Sequence, residues 1–89
     1  MAQVVATMKI FPKDIMKDFS KMKESIKQSL PKEAYVYKFE EEPIAFGFIA
    51  LIVHVVMPES FEGGLERIEE KLKKINDIDV VEVILVRRI

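Results

Sequence analysis

The apolar positions of this chain change period several times, and each change marks an element. Val4 to Phe11 is rich in β-branched residues and runs into Pro12, which cannot continue a strand ladder but suits the start of a helix. A first strand is predicted there. From Asp14 onward Ile15, Met16, Phe19, Met22, Ile26 and Leu30 recur at helical spacing, with Lys13, Lys17, Lys21 and Lys27 on other faces, and Pro31 closes that helix. Ala34 to Glu42 alternates Tyr35, Tyr37 and Phe39 with Val36, Lys38 and Glu40, the two-residue period of a half-buried strand, and Glu42-Pro43 makes a turn. Ile44 to Met57 is apolar on both parities except at His54, which predicts a central third strand ending at Pro58. Ser60 is a candidate cap and Gly63-Gly64 a weak first turn for a second helix, whose firm pattern is Leu65, Ile68, Leu72 and Ile75. Its exposed side passes from Glu66, Glu69 and Glu70 to Lys71, Lys73 and Lys74, the charge order that the helix dipole favours. After the turn at Asn76-Asp77, Val80 to Val86 reads as a fourth strand, followed by Arg87-Arg88-Ile89.

The order βαββαβ, with right-handed crossovers over one antiparallel sheet, predicts an α+β ferredoxin-like sandwich of strand order 4-1-3-2 with both helices on one face. Strand parity then divides the third strand. If Gly47, Ile49, Leu51, Val53 and Val55 face the helices, Phe46, Phe48, Ala50, Ile52 and His54 face the open side. An open face so apolar is a candidate surface for a partner or for self-association.

At 89 residues the chain is read as a single domain spanning 1–89, with no cysteine and therefore no disulfide. A hydrophobic share of 49% supplies a core, and the 33% charged share suits surface ion-pair networks. The opening residues carry no basic segment ahead of an apolar core, and no apolar run approaches the roughly 18 residues that span a bilayer, so a cytoplasmic protein is expected, without membrane contact. Lys and Arg number 14 against 15 Asp and Glu, a balance without the basic excess of nucleic-acid binders.

Little here is suited to bond-making chemistry, so the chain is read as not an enzyme, with no cofactor and no metal. His54 is the one histidine, and it is expected to sit in a polar cluster with Lys9 and Glu82 on the same sheet face. Gly63-Gly64 lacks the lysine and Ser/Thr of a phosphate loop. Glu40-Glu41-Glu42 points to alternate faces and reads as a solvated corner. Phe46-Gly47-Phe48-Ile49 matches the middle of an RNA-recognition motif, whose aromatics stack on bases in the same βαββαβ order. Ile44 and Ala45 stand where that motif has a basic residue and glycine, Leu51 replaces its last aromatic, and Val4 to Met8 offers no stacking aromatic.

A second resemblance spans nearly the whole chain. Val4-Val5-Ala6-Thr7, the block Glu41-Glu42-Pro43-Ile44-Ala45-Phe46-Gly47, Glu62-Gly63-Gly64 before the second helix and the closing Val86-Arg87-Arg88-Ile89 together resemble archaeal elongation factor 1-beta, in its guanine nucleotide exchange domain. The resemblance implies a factor that binds the GTPase elongation factor 1-alpha and promotes exchange of GDP for GTP. It implies a partner-binding set of Pro43, Phe46, Gly47, Arg87, Arg88 and Ile89. In eukaryotic members a lysine one residue from the carboxyl end is held to enter the Mg²⁺ site of the GTPase. Arg88 occupies that position here, and Ile89 replaces a terminal leucine. Two other readings stand beside it: an RNA-recognition-like module using Phe46 and Phe48, and a small self-associating regulatory domain.

Overall fold

The protein is described by a computed structural model covering residues 2–16, 18–60 and 63–89; Lys17 and Glu62, cited above, lie outside the described residues. The elements are β1 (Gln3–Pro12), α1 (Ser20–Ser29), β2 (Tyr35–Pro43), β3 (Ile49–Pro58), α2 (Gly64–Lys73) and β4 (Ile78–Arg88). They form a four-stranded antiparallel sheet of order β2-β3-β1-β4, the expected 4-1-3-2 read from the other edge. β1 and β3 are the central strands, each paired along both edges, and they carry most of the buried strand residues.

The core lies between the sheet and the helices. Ala6, Met8 and Ile10 of β1 and Leu51, Val53, Val55 and Met57 of β3 meet Phe19, Met22 and Ile26 on the α1 side and Ile68 and Leu72 on α2. Fully burying a side chain of this size contributes about 1.5–3 kcal/mol. In a chain without cysteine, that packing carries the stability.

Several expectations are corrected. The first helix begins at Ser20 rather than near Asp14: the Asp18 carboxylate accepts hydrogen bonds from the Ser20 backbone N–H (2.9 Å) and hydroxyl (2.6 Å), a local turn that competes with helix just ahead of the Phe19 N-cap. Ile15 is left more than half exposed. Pro12 stays in β1, opposite Ile78, and is not a helix start.

In β2 the regular alternation of Tyr35, Tyr37 and Phe39 is broken by an irregularity between Val36 and Lys38. Tyr35 pairs with Val56 and stays on the open face, while Phe39 pairs with Val53 and turns toward the core. β2 also continues through Pro43, tolerated on an edge strand that needs no donor on its free side.

β3 starts at Ile49 and not at Ile44. Ala45–Gly47 form a short 3-10 turn that joins β2 to β3. Phe46 therefore projects from a turn and not from a strand, Phe48 stands just ahead of β3, and Ala50, Ile52 and His54 continue the parity read from sequence.

β4 runs through both arginines to Arg88, with shifts of register that leave Asp79 and Ile84 without direct partners on β1. The Ile89 N–H donates to the Gln3 carbonyl at 2.9 Å, so the last residue is tied to the sheet.

Candidate functional site

The hairpin between β2 and β3 closes through the Ile44 N–H donating to the Phe48 carbonyl (2.8 Å) and the Phe48 N–H to the Ala45 carbonyl (3.1 Å). So tight a closure needs two consecutive residues with positive φ, Phe46 (58°) and Gly47 (81°). Gly47 adopts this freely. Phe46 does not: a left-handed conformation costs an L-residue about 1–2 kcal/mol, and bulky side chains rarely occupy it. Its ring gains nothing from the fold in return, being 92% exposed. The Ile15 side chain lies beside Gly47, 3.7 Å from where a Cβ would stand, so the exposed Ile15, Ile44 and Phe46 share this end of the molecule.

Arg87, Arg88 and Ile89 sit at the opposite end. Pro43 pairs with Ile49 at the start of β3, whereas Val4 pairs with both Met57 and Arg88 near its finish. The eight residue steps from Ile49 to Met57 span about 27 Å, along a molecule 42 Å in its longest dimension. The six residues implied by the resemblance are thus gathered into two groups of three, one at each end of the sheet.

Within the second group, adjacent residues part company. Arg88 donates from Nε to Glu59 Oε2 (2.6 Å) and from its terminal nitrogen to Oε1 (2.7 Å), a two-pronged ion pair with the turn after β3. Arg87, opposite Val5, takes the other face and lines a concavity with Tyr35, Tyr37, Val5, Val56 and Ile89. Sequence reading passed over Glu59, Tyr35 and Tyr37. The alternating tyrosines were a visible signal, but the irregular register that leaves them exposed was not.

The middle of the open face is polar rather than uniformly apolar, which corrects the expectation for that surface. His54 Nε2 lies 2.7 Å from Glu40 Oε2, and His54 Nδ1 lies 2.9 Å from the Thr7 hydroxyl. With Glu40 ionised, Nε2 carries the proton and Nδ1 accepts from Thr7. Lys9 pairs with Glu42, not with Glu82, its cross-strand neighbour on β4. Glu40 and Glu42 are therefore partners of His54 and Lys9 and not a merely solvated corner. The His54 hydrogen bond, followed by the Lys38 charge, lowers the Glu40 pKa below the ordinary glutamate value. Among the described residues, no group of three or more His, Cys, Asp or Glu side chains is placed to hold a metal ion, and no helix is long and apolar enough to cross a membrane.

Of the two aromatics in the partial RNA-recognition match, Phe46 projects from a turn instead of a strand, and Phe48 is the half-buried residue that ends that turn. What the two ends offer is contact chemistry: an aromatic tip, a guanidinium-bearing concavity and a held cation, carried on one rigid sheet. This is the equipment of a module that acts by gripping a larger partner.

Comparison with known proteins makes the assignment specific. Residues 5–89 match the EF-1 guanine nucleotide exchange domain. The chain is 43% identical over 89 residues to Elongation factor 1-beta of Methanobrevibacter smithii, and 39% identical over 89 residues to Elongation factor 1-beta of Staphylothermus marinus; each alignment covers 100% of this chain and 99% of the relative. With the Elongation factor 1-beta of Ignicoccus hospitalis it shares 38% identity over 88 residues, 99% of this chain and 94% of that protein. The chain belongs to the EF-1 guanine nucleotide exchange domain family, and its role is guanine nucleotide exchange in translation elongation.

Proposed function

We propose that this chain, working as a single domain in the cytoplasm, binds elongation factor 1-alpha with both ends of its sheet and speeds release of GDP so that GTP can enter. Phe46, set by Pro43 and Gly47, anchors one end. Arg88 acts at the nucleotide site from the other, with Arg87 and Ile89 beside it.

The observation that carries this reading is the Phe46 backbone. A large aromatic held at φ 58° and 92% exposed costs stability and buries no surface, so its return comes from a partner. The near balance of 14 basic and 15 acidic residues favours a protein surface over a polyphosphate backbone.

A GTPase holds GDP through its phosphate loop and Mg²⁺. A factor speeds release by binding more tightly to the conformation in which those contacts are loosened, and it shifts the equilibrium only by that difference in affinity. Two contacts about 27 Å apart on a rigid sheet can select one relative arrangement of the GTPase elements they touch. No bond is made or broken on this chain, and no cofactor takes part.

Elongation factor 1-alpha loaded with fluorescent GDP and mixed with excess GTP tests the reading. The chain is expected to accelerate loss of the label in a saturable way. Release at the unassisted rate at every concentration of the chain contradicts it.

A further inference from the structure

The concavity beside Arg87 is separate in position from the Phe46 tip and faces away from the Arg88–Glu59 pair. Its floor is apolar. Val5 and Val56 are buried neighbours on the central strands, and the cross-strand row reads Tyr35, Val56, Val5, Arg87. Its walls are Tyr35 and Tyr37, 54% and 69% exposed, with Arg87 and Ile89 opposite. The half-open space is about 260 Å³, against about 150 Å³ for a cavity that holds benzene, so it accommodates one large side chain.

The charges narrow the occupant. Arg88 is engaged by Glu59, yet among the described residues no carboxylate pairs with Arg87. Lys38 stands one row further along the same face. A group entering between two phenol rings and an unpaired guanidinium is best an apolar body with an anionic neighbour. Tyrosine and arginine are also the residues that most often dominate binding energy in interfaces.

We infer that this concavity receives an apolar side chain flanked by a carboxylate on elongation factor 1-alpha, with Tyr35 and Tyr37 gripping the side chain and Arg87 pairing with the carboxylate. The inference rests on the proposed exchange reading and extends it to residues outside the set that the resemblance implies. It is continuous with that set, since Arg87 and Ile89 belong to both. A second copy docked symmetrically on the concavity would bring two Arg87 guanidiniums into one interface with no acidic side chain among the lining residues to separate them. A nucleotide diphosphate calls for converging backbone N–H groups, and this cavity is lined by side chains of paired strands.

Calorimetric titration of elongation factor 1-alpha with the wild-type chain and with Tyr37→Ala, Tyr37→Phe and Arg87→Gln tests the inference, alongside the GDP-release assay. Tyr37→Ala is expected to raise Kd at least about tenfold. Tyr37→Phe, which keeps the ring, stays within about threefold of wild type. Arg87→Gln raises Kd and flattens its dependence on salt. The melting curve of each variant checks that the fold is retained, and the exposed position of Tyr37 makes loss of folding an unsuitable explanation for weak binding. If wild type accelerates release while Tyr37→Ala and Arg87→Gln bind with unchanged Kd, the concavity is not an interface and the exchange reading stands. If wild type fails to accelerate release, both fall. Saturable binding of GDP, single-stranded RNA or a second copy that Arg87→Gln abolishes assigns the cavity to that occupant and overturns the inference.

Discussion

Arg88 grips Glu59 with two nitrogens, at 2.6 and 2.7 Å, while Arg87, one residue earlier on the same strand, has turned to the other face of the sheet. The pair holds the Arg88 guanidinium in a fixed direction, but it also occupies the charge that the proposed exchange role assigns to the nucleotide site of the GTPase. Both partners are well exposed, so the pair contributes no more than about 1 kcal/mol. Replacing Glu59 by Gln should leave the unfolding free energy within about 1 kcal/mol of wild type in denaturant titration. Freed from its competitor, Arg88 should then raise the saturated rate of GDP release, by at most about fivefold. A fall in that rate would show that Glu59 positions Arg88 instead of competing for it.

Phe46 separates stability from binding. Phe46→Ala removes the ring but keeps a Cβ at φ 58°, whereas Phe46→Gly removes the strain as well. Both variants should lose binding to elongation factor 1-alpha by about 2 kcal/mol or more. The glycine variant should nevertheless match or exceed the alanine variant in stability, by up to about 1 kcal/mol, since the cost of left-handed backbone outweighs the extra freedom of unfolded glycine. Thermal melts of the two proteins side by side give the comparison. A lower melting temperature for Phe46→Gly would mean that the turn is not held in this conformation.

The acid limb of stability should report Glu40. Its folded pKa is lowered, first by the His54 hydrogen bond and then by Lys38. A depressed carboxylate pKa adds stability that is present above the unfolded value, near 4.5 for glutamate, and that is lost as pH falls through the lower folded value. Asp18 acts in the same sense at somewhat lower pH, because its carboxylate accepts both Ser20 hydrogen bonds. Melting temperature measured from pH 6 downward should therefore fall less steeply in Glu40→Gln than in wild type. Identical slopes in the two proteins would remove the His54–Glu40 contact from the account.

The character of residue 88 should matter more than its identity. Arg88→Lys keeps the positive charge but loses the planar fork that meets Glu59 at two points. It should retain most of the exchange rate. Arg88→Glu places like charge beside the nucleotide phosphates and beside Glu59, and it should be the most damaging single change at this end. Stopped-flow release of labelled GDP ranks the two. Equal rates for Arg88→Glu and wild type would remove this end from the nucleotide site.

Much of this architecture was legible in the chain. The helical spacing of Ile68 and Leu72, the doubly apolar run through Leu51 to Val55 and the parity that sends His54 to the open face all follow from residue period, and each is found in the structure. The misreadings have separate physical causes. Ile44 to Phe48 is as apolar as the strand it precedes, so pattern alone cannot separate a tight turn from a strand when the turn carries its hydrophobic groups outward to solvent. Ile15 likewise fits a helical face yet stands outside the helix, because Asp18 offers the backbone a better local partner. The irregularity beside Tyr37 depends on cross-strand register, which no single strand records. The two ends of the site were named from their resemblance to a family, but their separation along the sheet, and the opposite facing of Arg87 and Arg88, emerge only from the pairing of strands.

The central claim is that one rigid sheet acts on elongation factor 1-alpha from both ends, one for attachment and one for the nucleotide site. Release of labelled GDP, followed at rising concentrations of wild type, Phe46→Ala and Arg88→Glu, tests it most directly. Wild type should accelerate release to a plateau. Phe46→Ala should reach that plateau only at about thirtyfold higher concentration, the equivalent of 2 kcal/mol. Arg88→Glu should approach a much lower plateau at nearly the wild-type concentration. Residues so far apart should also act independently, so the double variant should show both defects together. A wild-type chain that leaves GDP release unchanged, or an Arg88→Glu variant that reaches the full plateau, contradicts the account.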